Sequence, residues 1–277
     1  MPATLPPSTW YANPAHWTKM AGTPHVLGLD GCPDGWVVAL LSLPTKTSAK
    51  SATSPVGDTA PKNVTLGFMD HFEQVLAHRQ AYARTLRGVV VDMPIGLLDW
   101  GRRPCEAMAR KKLGPRSSSV FACPRRPMLT FDTYEEANRW GKSGGHDSGG
   151  GLSKQAWNLL PKIRQIDDLI APADQAWLSE GHPEVTFTRL NDGPCTFSKK
   201  EADGQSERKD LLARAGLRQL DPLIDAVRSD RPFRHHADDL LDALAMAVTA
   251  RGRLNGEAWC LGDDVPDARG LKMHIWA

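Results

Sequence analysis

Two aspartates follow apolar runs that have the pattern of buried strands. The run "HVLGLD" ends on Asp30 and precedes a Cys-Pro-Asp-Gly turn, and the run "VVVD" ends on Asp92. A single aspartate at a strand end is most often a turn residue or a helix cap. If the two strands are parallel neighbours, both carboxylates meet at one sheet edge, where they repel each other unless a cation joins them. The pair is therefore either two turn residues or part of a cation site.

Further carboxylates lie at the start of the last long helical pattern. The stretch "HHADDLLDALAMAVTARGRLNG", residues 235–256, has a broad apolar face and carries Asp238, Asp239 and Asp242 near its beginning. Asp239 and Asp242 are three residues apart and share a helix face. The helix dipole favours acids at this position even without a ligand. Together with the strand-end pair, these acids predict an all-oxygen site, for which Mg²⁺ or Mn²⁺ is the natural ion.

The order of predicted elements would bring the two strand ends together. Residues 25–30 and 35–43 form a β-hairpin around a "PDG" turn, and "NVTLGFMD" follows as a third strand. A helix is predicted from Phe72 to Thr85. The unbroken valine run of "RGVVVDMPIGL" is then typical of a strand buried on both faces. Because a crossover helix precedes it, this fourth strand is expected to lie parallel to the first.

The remaining patterns complete an α/β fold. Helices are predicted at "PCEAMARKKLG", at "WNLLPKIRQIDDLIAP" and at residues 206–216, and a fifth strand at "EVTFTRL". We predict a mixed five-stranded sheet, with antiparallel hairpin strands followed by parallel ones, flanked by helices.

The predicted organisation is a single domain with additions. Residues 1–24 form an N-terminal extension and residues 25–277 form the domain, with insertions at about 44–62 and about 100–160. Glycine and serine in residues 141–153 predict a mobile loop.

A basic segment follows the Asp92 strand. Residues 102–126 contain eight lysines and arginines and one acid, Glu106, in a chain whose net charge is only +2. This local charge predicts phosphate binding, and therefore nucleic-acid binding, although a solvated basic helix face has the same composition. The residues predicted to contact nucleic acid are Arg102, Arg103, Lys111, Lys112, Arg116, Ser117, Ser118, Arg125 and Arg126.

Composition excludes several other classes. The five cysteines are scattered without a CxxC pair, which argues against a disulfide framework or a structural zinc site and favours a reducing, cytoplasmic location. No uncharged apolar run approaches membrane-spanning length, so no membrane association is expected. Neither a GxSxG nucleophile motif nor a GxxxxGK[ST] phosphate loop is present.

Several separated motifs resemble one known family. They are "GLDGCPDGWVVA", "VVVDMPIGL", "RPCEAMARKKLGPRSSSVFACP", "KIRQID", "HPEVTFTRLN" and "DDLLDALAMAVTA". The set is similar to the family called domain of unknown function 429, described as predicted nucleases of the ribonuclease H-like (RNase H-like) superfamily. The order of elements also resembles that fold in the RuvC-like group. The resemblance runs from about residue 25 to about residue 262.

The resemblance implies roles for individual carboxylates. Asp30 would be the central bridging ligand, and Asp92, Asp239 and Asp242 would complete the catalytic set. Asp238 adjoins Asp239, and which of the two faces the site is open. Glu184 of the "HPE" motif is a further candidate ligand, with a surface position as the alternative.

These ligands would support a metal-dependent hydrolase acting on nucleic acid. Two Mg²⁺ or Mn²⁺ ions about 4 Å apart would activate water and stabilise the leaving oxygen of a phosphodiester. The choice between DNA and RNA is open, and analogy with resolvases suggests a homodimer. Two alternatives remain. The "GLDG" motif also resembles the first phosphate motif of actin-like ATPases, and the fold could belong to a nucleic-acid-binding protein without catalysis.

Overall fold

The computed structural model describes residues 9–10, 21–44, 63–144, 149–229 and 237–277. Most of the predicted N-terminal extension, nearly all of the predicted 44–62 insertion, the centre of the 141–153 loop, and residues 235 and 236 lie outside these ranges. The chain forms two compact units, Met1–Asp92 with Cys195–Ala258, and Met93–Pro194 with Trp259–Ala277.

In the described residues, eight strands and eight α-helices occur. The strands are β1 (Thr9–Trp10), β2 (His25–Cys32), β3 (Gly35–Ser42), β4 (Val64–Met69), β5 (Leu86–Asp92), β6 (Leu178–Gly181), β7 (Cys260–Leu261) and β8 (Ile275–Trp276). The helices are α1 (Glu73–Ala81), α2 (Pro104–Leu113), α3 (Tyr134–Ser143), α4 (Lys154–Leu169), α5 (Pro183–Leu190), α6 (Ala202–Arg214), α7 (Asp221–Ser229) and α8 (Ala237–Asn255). The mixed α/β class is confirmed, whereas the prediction of five strands is too low.

The first unit contains the strands in the order β1-β4-β3-β2-β5. The β2–β3 hairpin and the β3–β4 pair are antiparallel, as the turn between residues 32 and 35 requires. Strand β5 lies parallel to β2 after the crossover through α1. Val89, Val90 and Val91 of β5 are fully buried, which is why this strand has an unbroken apolar sequence. The predicted parallel arrangement of these two strands is confirmed.

Helix α8 packs on β2, β3 and β5 and closes the core of the first unit. Its residues 240–250 are all buried, because the helix has the sheet on one side and α6 and α7 on another. Close approach to β2 depends on Gly28: a Cβ atom there would lie 2.1 Å from the Ala243 carbonyl oxygen and 2.1 Å from the Ala247 nitrogen.

A buried histidine pair lies at the other end of β2. His25 Nε2 and His78 Nε2 are 2.9 Å apart, and His25 Nδ1 lies 2.8 Å from the Thr23 carbonyl oxygen. Because that carbonyl can only accept, His25 donates from Nδ1 and its Nε2 accepts a hydrogen bond from His78. Burial, followed by the neighbouring His25, lowers the pKa of His78 to about 3, and burial lowers the pKa of His25. Both imidazoles are therefore neutral at physiological pH.

We expect this pair to make the protein sensitive to acid. Between the pKa of His78 in the unfolded chain, about 6.5, and its folded value of about 3, the unfolded state binds more protons, so stability falls as the pH is lowered. The loss from this one group reaches about 2 kcal/mol by about pH 5. Chemical denaturation at several pH values measures it.

His78→Gln keeps a side-chain N–H donor but cannot be protonated, and it is expected to flatten the acid limb of the stability profile. His71→Gln changes an exposed histidine and is the matched control. An unchanged acid limb in His78→Gln would contradict this account.

The second unit contributes three strands, of which β6 is parallel to β8 and β8 is antiparallel to β7. Helix α2 packs against α5, β7 and β8. It begins at Pro104, as predicted, and stops before Gly114, whose φ of 52° suits glycine. The core of this unit comprises Cys105, Ala109, Leu113, Val120, Val185, Leu261, Met273, Ile275 and Ala277.

The predicted strand "EVTFTRL" is wrong, because these residues form helix α5. Pro183 occupies the first turn, where its fixed φ favours a helix. Thr186 and Thr188 donate their hydroxyl hydrogens to the carbonyls of His182 and Glu184, four residues earlier. The buried β-branched residues imitate a strand pattern, whereas the helix satisfies their polar groups locally.

Smaller differences concern helix ends. The crossover helix runs over Glu73–Ala81 and not from Phe72 to Thr85, and the helix predicted at residues 206–216 is Ala202–Arg214. No helix in the described part of the chain combines the length and the apolarity that crossing a membrane requires.

Candidate metal centre

The two strand-end aspartates lie side by side. Asp30 of β2 and Asp92 of β5 are direct Cα partners in the parallel register of these strands. Paired residues of neighbouring parallel strands project from the same sheet face. The predicted meeting of these two carboxylates is therefore confirmed. Asp30 is only 7% exposed, which is unusual for an aspartate that merely forms a turn.

Helix α8 adds a third carboxylate. One side-chain oxygen each from Asp30, Asp92 and Asp242 can be chosen so that all three lie within 4.8 Å of one another. Asp242 is 3% exposed, because it lies on the face of α8 that packs against the sheet. Three acids from two strands and one helix thus converge on one point.

A lysine that the sequence analysis did not identify completes the cluster. Lys199 Nζ donates to Asp242 Oδ2 at 2.8 Å. Lys199 lies in the segment between residue 195 and α6, and 43 positions separate it from Asp242. No motif in the sequence marks it, since it stands in the charged stretch "SKKEAD", which has the composition of an ordinary solvated loop.

The electrostatics of the cluster are unfavourable without a cation. Burial raises the pKa of Asp30 well above its usual range, and the charges of Asp92, Asp242 and Asp239 raise it further. Lys199 acts in the opposite direction on the same group. A divalent cation would offset the remaining repulsion. The carboxylate oxygens are the donors that hard cations prefer, so the residues present fit such an ion. This buried acidic triad could therefore bind a metal ion.

Asp238 and Asp239 have different surroundings. Asp238 is exposed and accepts a hydrogen bond from Gln205 Nε2 at 2.8 Å. Asp239 is half-buried, and its charge acts on Asp30. Of the two neighbouring acids, Asp239 is the one that belongs electrostatically to the cluster.

Glu184, the other candidate ligand, is in the second unit. It is the second residue of α5, and it is only 8% exposed. The alternative of an exposed surface position is therefore wrong. Its role as a ligand stays a prediction.

The predicted nucleic-acid residues divide into two groups. Exposed positions are Arg102, Lys111, Lys112 and Ser118, and half-buried ones are Arg116, Ser117 and Arg126. Arg103 and Arg125 are buried, at 3% and 4% exposure. The segment is thus only partly a basic surface.

The less exposed arginines hold the second unit together. Arg103 forms a buried ion pair with Glu180, whose carboxylate also accepts from the Ile95 amide. Arg126 pairs with both Asp167 and Asp267. Removing one partner of a buried pair leaves an uncompensated charge, so these contacts are structurally important.

Arg125 also contacts groups inside the second unit. It donates to the Gly150 carbonyl, and its guanidinium carbon lies 5.5 Å from the centroid of the Trp140 ring. The three arginines Arg103, Arg125 and Arg126 therefore have structural partners, whereas Arg102 and Lys111 are exposed. Lys112 is also exposed, but its Nζ lies 4.1 Å from the centroid of the Trp259 ring.

Comparison with known proteins places the chain in a family. A family model with the description "protein of unknown function (DUF429)" matches residues 28–267. The chain belongs to DUF429. The matched range of this DUF429 chain includes all three carboxylates of the triad and Lys199. Neither the curated proteins nor the solved structures contain a match to it.

Proposed function

We propose that this DUF429 protein is a metal-dependent nuclease of RNase H-like fold that hydrolyses phosphodiester bonds in nucleic acid. The observation that carries the proposal is the triad, in which Asp30, Asp92 and Asp242 come within 4.8 Å of one another at two strand ends and a helix. Buried like charges at this separation are costly, and cation binding is the simplest reason for a protein to keep them.

The arrangement of the first unit supports the fold assignment. It has an antiparallel β2–β3–β4 meander, a crossover through α1, an acid-ended strand β5 parallel to β2, and a closing helix α8 that carries carboxylates. These are the features on which the resemblance to RNase H-like proteins rests. Their presence in one compact unit favours that fold over an unrelated acidic cluster.

The chain's own residues would have defined tasks. Asp30, Asp92 and Asp242 would hold the ion, with Asp239 adding negative charge nearby. Mg²⁺ or Mn²⁺ is proposed because every donor is a carboxylate oxygen. Such an ion supplies a Lewis acid and an activated water for attack on phosphorus. Burial of Asp30 and Asp242 limits competing hydration and strengthens their hold on the ion.

The substrate class follows from the exposed cations of the second unit. Arg102, Lys111 and Lys112 are exposed, and lysine and arginine contacts to phosphate dominate nucleic-acid affinity. We propose DNA or RNA as the substrate. Binding that rests on such contacts weakens steeply as salt is raised, so the apparent affinity for polynucleotide is expected to fall with ionic strength.

Cleavage assays test the proposed function. The full chain would be incubated with labelled single-stranded, duplex and branched DNA and RNA, with Mg²⁺, with Mn²⁺ and with EDTA. We expect cleavage with either metal, none with EDTA, and a loss of about 10²-fold or more in Asp92→Asn.

Asp225→Asn is the matched control, since Asp225 is an exposed aspartate on α7. Equal cleavage by Asp92→Asn and the control would reject the triad as the active site. ATP hydrolysis without polynucleotide cleavage would favour the actin-like alternative. Metal and polynucleotide binding without cleavage would favour a binding protein.

A further inference from the structure

We propose that the Lys199 ammonium group is a permanent cation of this centre and takes the place of a second divalent ion, so that the carboxylates hold one metal ion. This inference rests on the proposed function, because it concerns the same site. It departs from the pair of ions that the family resemblance implies. Lys199 would be a positioning residue that sets the number of bound ions.

The geometry shows an ammonium group directed at the candidate ligands. Lys199 Nζ is 2.8 Å from Asp242 Oδ2, so the two groups form a direct ion pair. The Lys199 side chain is 45% exposed, whereas the Asp242 side chain is 4% exposed. The alkyl stem therefore runs from the surface inward, and the charged end reaches a carboxylate that solvent does not. A surface ion pair would have both partners exposed.

The charge balance of the cluster favours one ion. Asp30, Asp92 and Asp242 contribute three negative charges, and Lys199 contributes one positive charge that acts on all three. One divalent ion would neutralise the two negative charges that remain. Two divalent ions beside the ammonium group would instead leave the triad with surplus positive charge. Within the described part of the chain, the half-buried Asp239 is the further carboxylate whose charge acts on Asp30 and could reduce this surplus. Like charges packed this closely are strongly unfavourable where water is excluded.

The segment that carries Lys199 is held in place by α6. The Glu207 carboxylate accepts from the amide nitrogens of Thr196 and Phe197 at 2.8 and 3.0 Å. Arg208, 1% exposed, donates to the Phe197 carbonyl at 3.3 Å and to the Gly204 carbonyl at 2.8 Å. A long lysine side chain loses rotamer entropy when it is fixed, and a rigid support reduces the further cost of fixing its backbone.

The end of this segment is also tightly packed. The Ser198 carbonyl accepts from the Glu201 amide at 3.0 Å, and a Cβ atom on Gly204 would lie 1.8 Å from that same carbonyl oxygen. The residue next to Lys199 is thus pressed against the first turn of α6. The backbone that carries Lys199 is therefore fixed by contacts with α6, and a fixed backbone lowers the entropy cost of holding the ammonium group at one position.

Calorimetric titration with Mn²⁺ tests the proposal through ion number and affinity, without relying on activity. Wild type is expected to bind about one Mn²⁺ per chain. Lys199→Met, which keeps the stem and removes the charge, is expected to bind about two ions or to bind its first about tenfold more tightly. Lys200→Met removes the neighbouring exposed charge and is expected to match wild type.

Thermal unfolding without metal is the second measurement. Lys199→Met is expected to unfold at a lower temperature than Lys200→Met, because the acidic cluster has lost its counter-charge. Mn²⁺ is expected to raise the unfolding temperature of Lys199→Met and so to remove this difference. Lys199→Arg keeps the positive charge and is expected to retain the wild-type ion number. If Lys199→Met does not fold, the ion number of Lys199→Arg still tests the proposal.

Two ions in wild type would overturn the proposal, as would Lys199→Met binding Mn²⁺ with the wild-type number and affinity. If no variant binds Mn²⁺, this inference and the proposed function both fail. Binding of one ion without cleavage of any polynucleotide would reject the nuclease function and leave the role of Lys199 intact.

Discussion

Asp30→Asn is expected to abolish metal binding and, in the same protein, to raise the unfolding temperature of the metal-free form. The first effect follows because Asp30 is buried, is the register partner of Asp92, and has a carboxylate oxygen within 4.8 Å of one from Asp242. Loss of a ligand is expected to weaken metal binding by about 10²-fold or more. The second effect follows because the substitution removes one of several like charges that repel each other in the core of the first unit.

The stability of the metal-free protein is also expected to depend on pH in a direction that Asp30 determines. The pKa of Asp30 is raised in the folded state by burial and then by Asp92. Between the unfolded value of about 3.9 and this raised value, the native state binds more protons, so stability falls as the pH rises. Above the raised pKa the full penalty is present. Asp30→Asn lacks it, so its advantage over wild type is expected to grow from acid to neutral pH.

Calorimetric titration and thermal unfolding, each with and without Mn²⁺, measure both effects. Asp225→Asn carries the same chemical change on an exposed part of α7 and is expected to behave as wild type. A stable Asp30→Asn protein that still binds Mn²⁺ as wild type does would remove Asp30 from the ligand set. A metal-free variant less stable than wild type would show that hydrogen bonds to Asp30 outweigh the repulsion.

Gly28→Ala is expected to damage the fold and the metal centre together. The new Cβ atom would lie 2.1 Å from both the Ala243 carbonyl oxygen and the Ala247 nitrogen, and backbone atoms cannot rotate away as a flexible side chain can. Helix α8 must therefore move outward from β2. Overpacking of this kind costs about 3 kcal/mol or more, at or above the usual upper range. Asp242 precedes Ala243, so the same movement separates it from Asp30.

Chemical denaturation and Mn²⁺ titration are the measurements for this variant. Gly252→Ala is the matched control, because Gly252 lies in α8 and a Cβ atom there meets Ala258 at an ordinary distance of 3.5 Å. Alanine favours a helix over glycine, so the control is expected to be neutral or more stable by up to about 1 kcal/mol. Wild-type stability in Gly28→Ala would mean that α8 does not contact β2 as closely as described.

Local sequence patterns determined the frame of the metal centre. The valine run of β5, the hairpin turn after β2 and the crossover through α1 each follow from short-range rules of periodicity and chain connection. Those rules are sufficient to predict that Asp30 and Asp92 lie at adjacent strand ends. The three-residue spacing of Asp239 and Asp242 likewise predicts a shared helix face. These parts could be predicted because they depend on local periodicity and on a general rule for how successive strands connect.

Burial could not be predicted in the same way. Arg103, Arg125 and Arg126 have the same sequence character as exposed Arg102, yet two of them are buried and all three have internal partners. Whether an arginine pairs inside or faces water depends on which carboxylate or carbonyl the fold brings near. In α5, likewise, helical hydrogen bonding and burial overrode the strand pattern of "EVTFTRL".

The sequence by itself therefore determined that acids end two parallel strands and share one face of a late helix. Only the tertiary structure decided that Asp242, and not Asp238, joins Asp30 and Asp92, and that Lys199 is their counter-charge. The physical reason is distance along the chain. A periodic pattern can be read from a few consecutive residues. The ion pair between Lys199 and Asp242, 43 positions apart, forms only after the Lys199 segment has packed near helix α8.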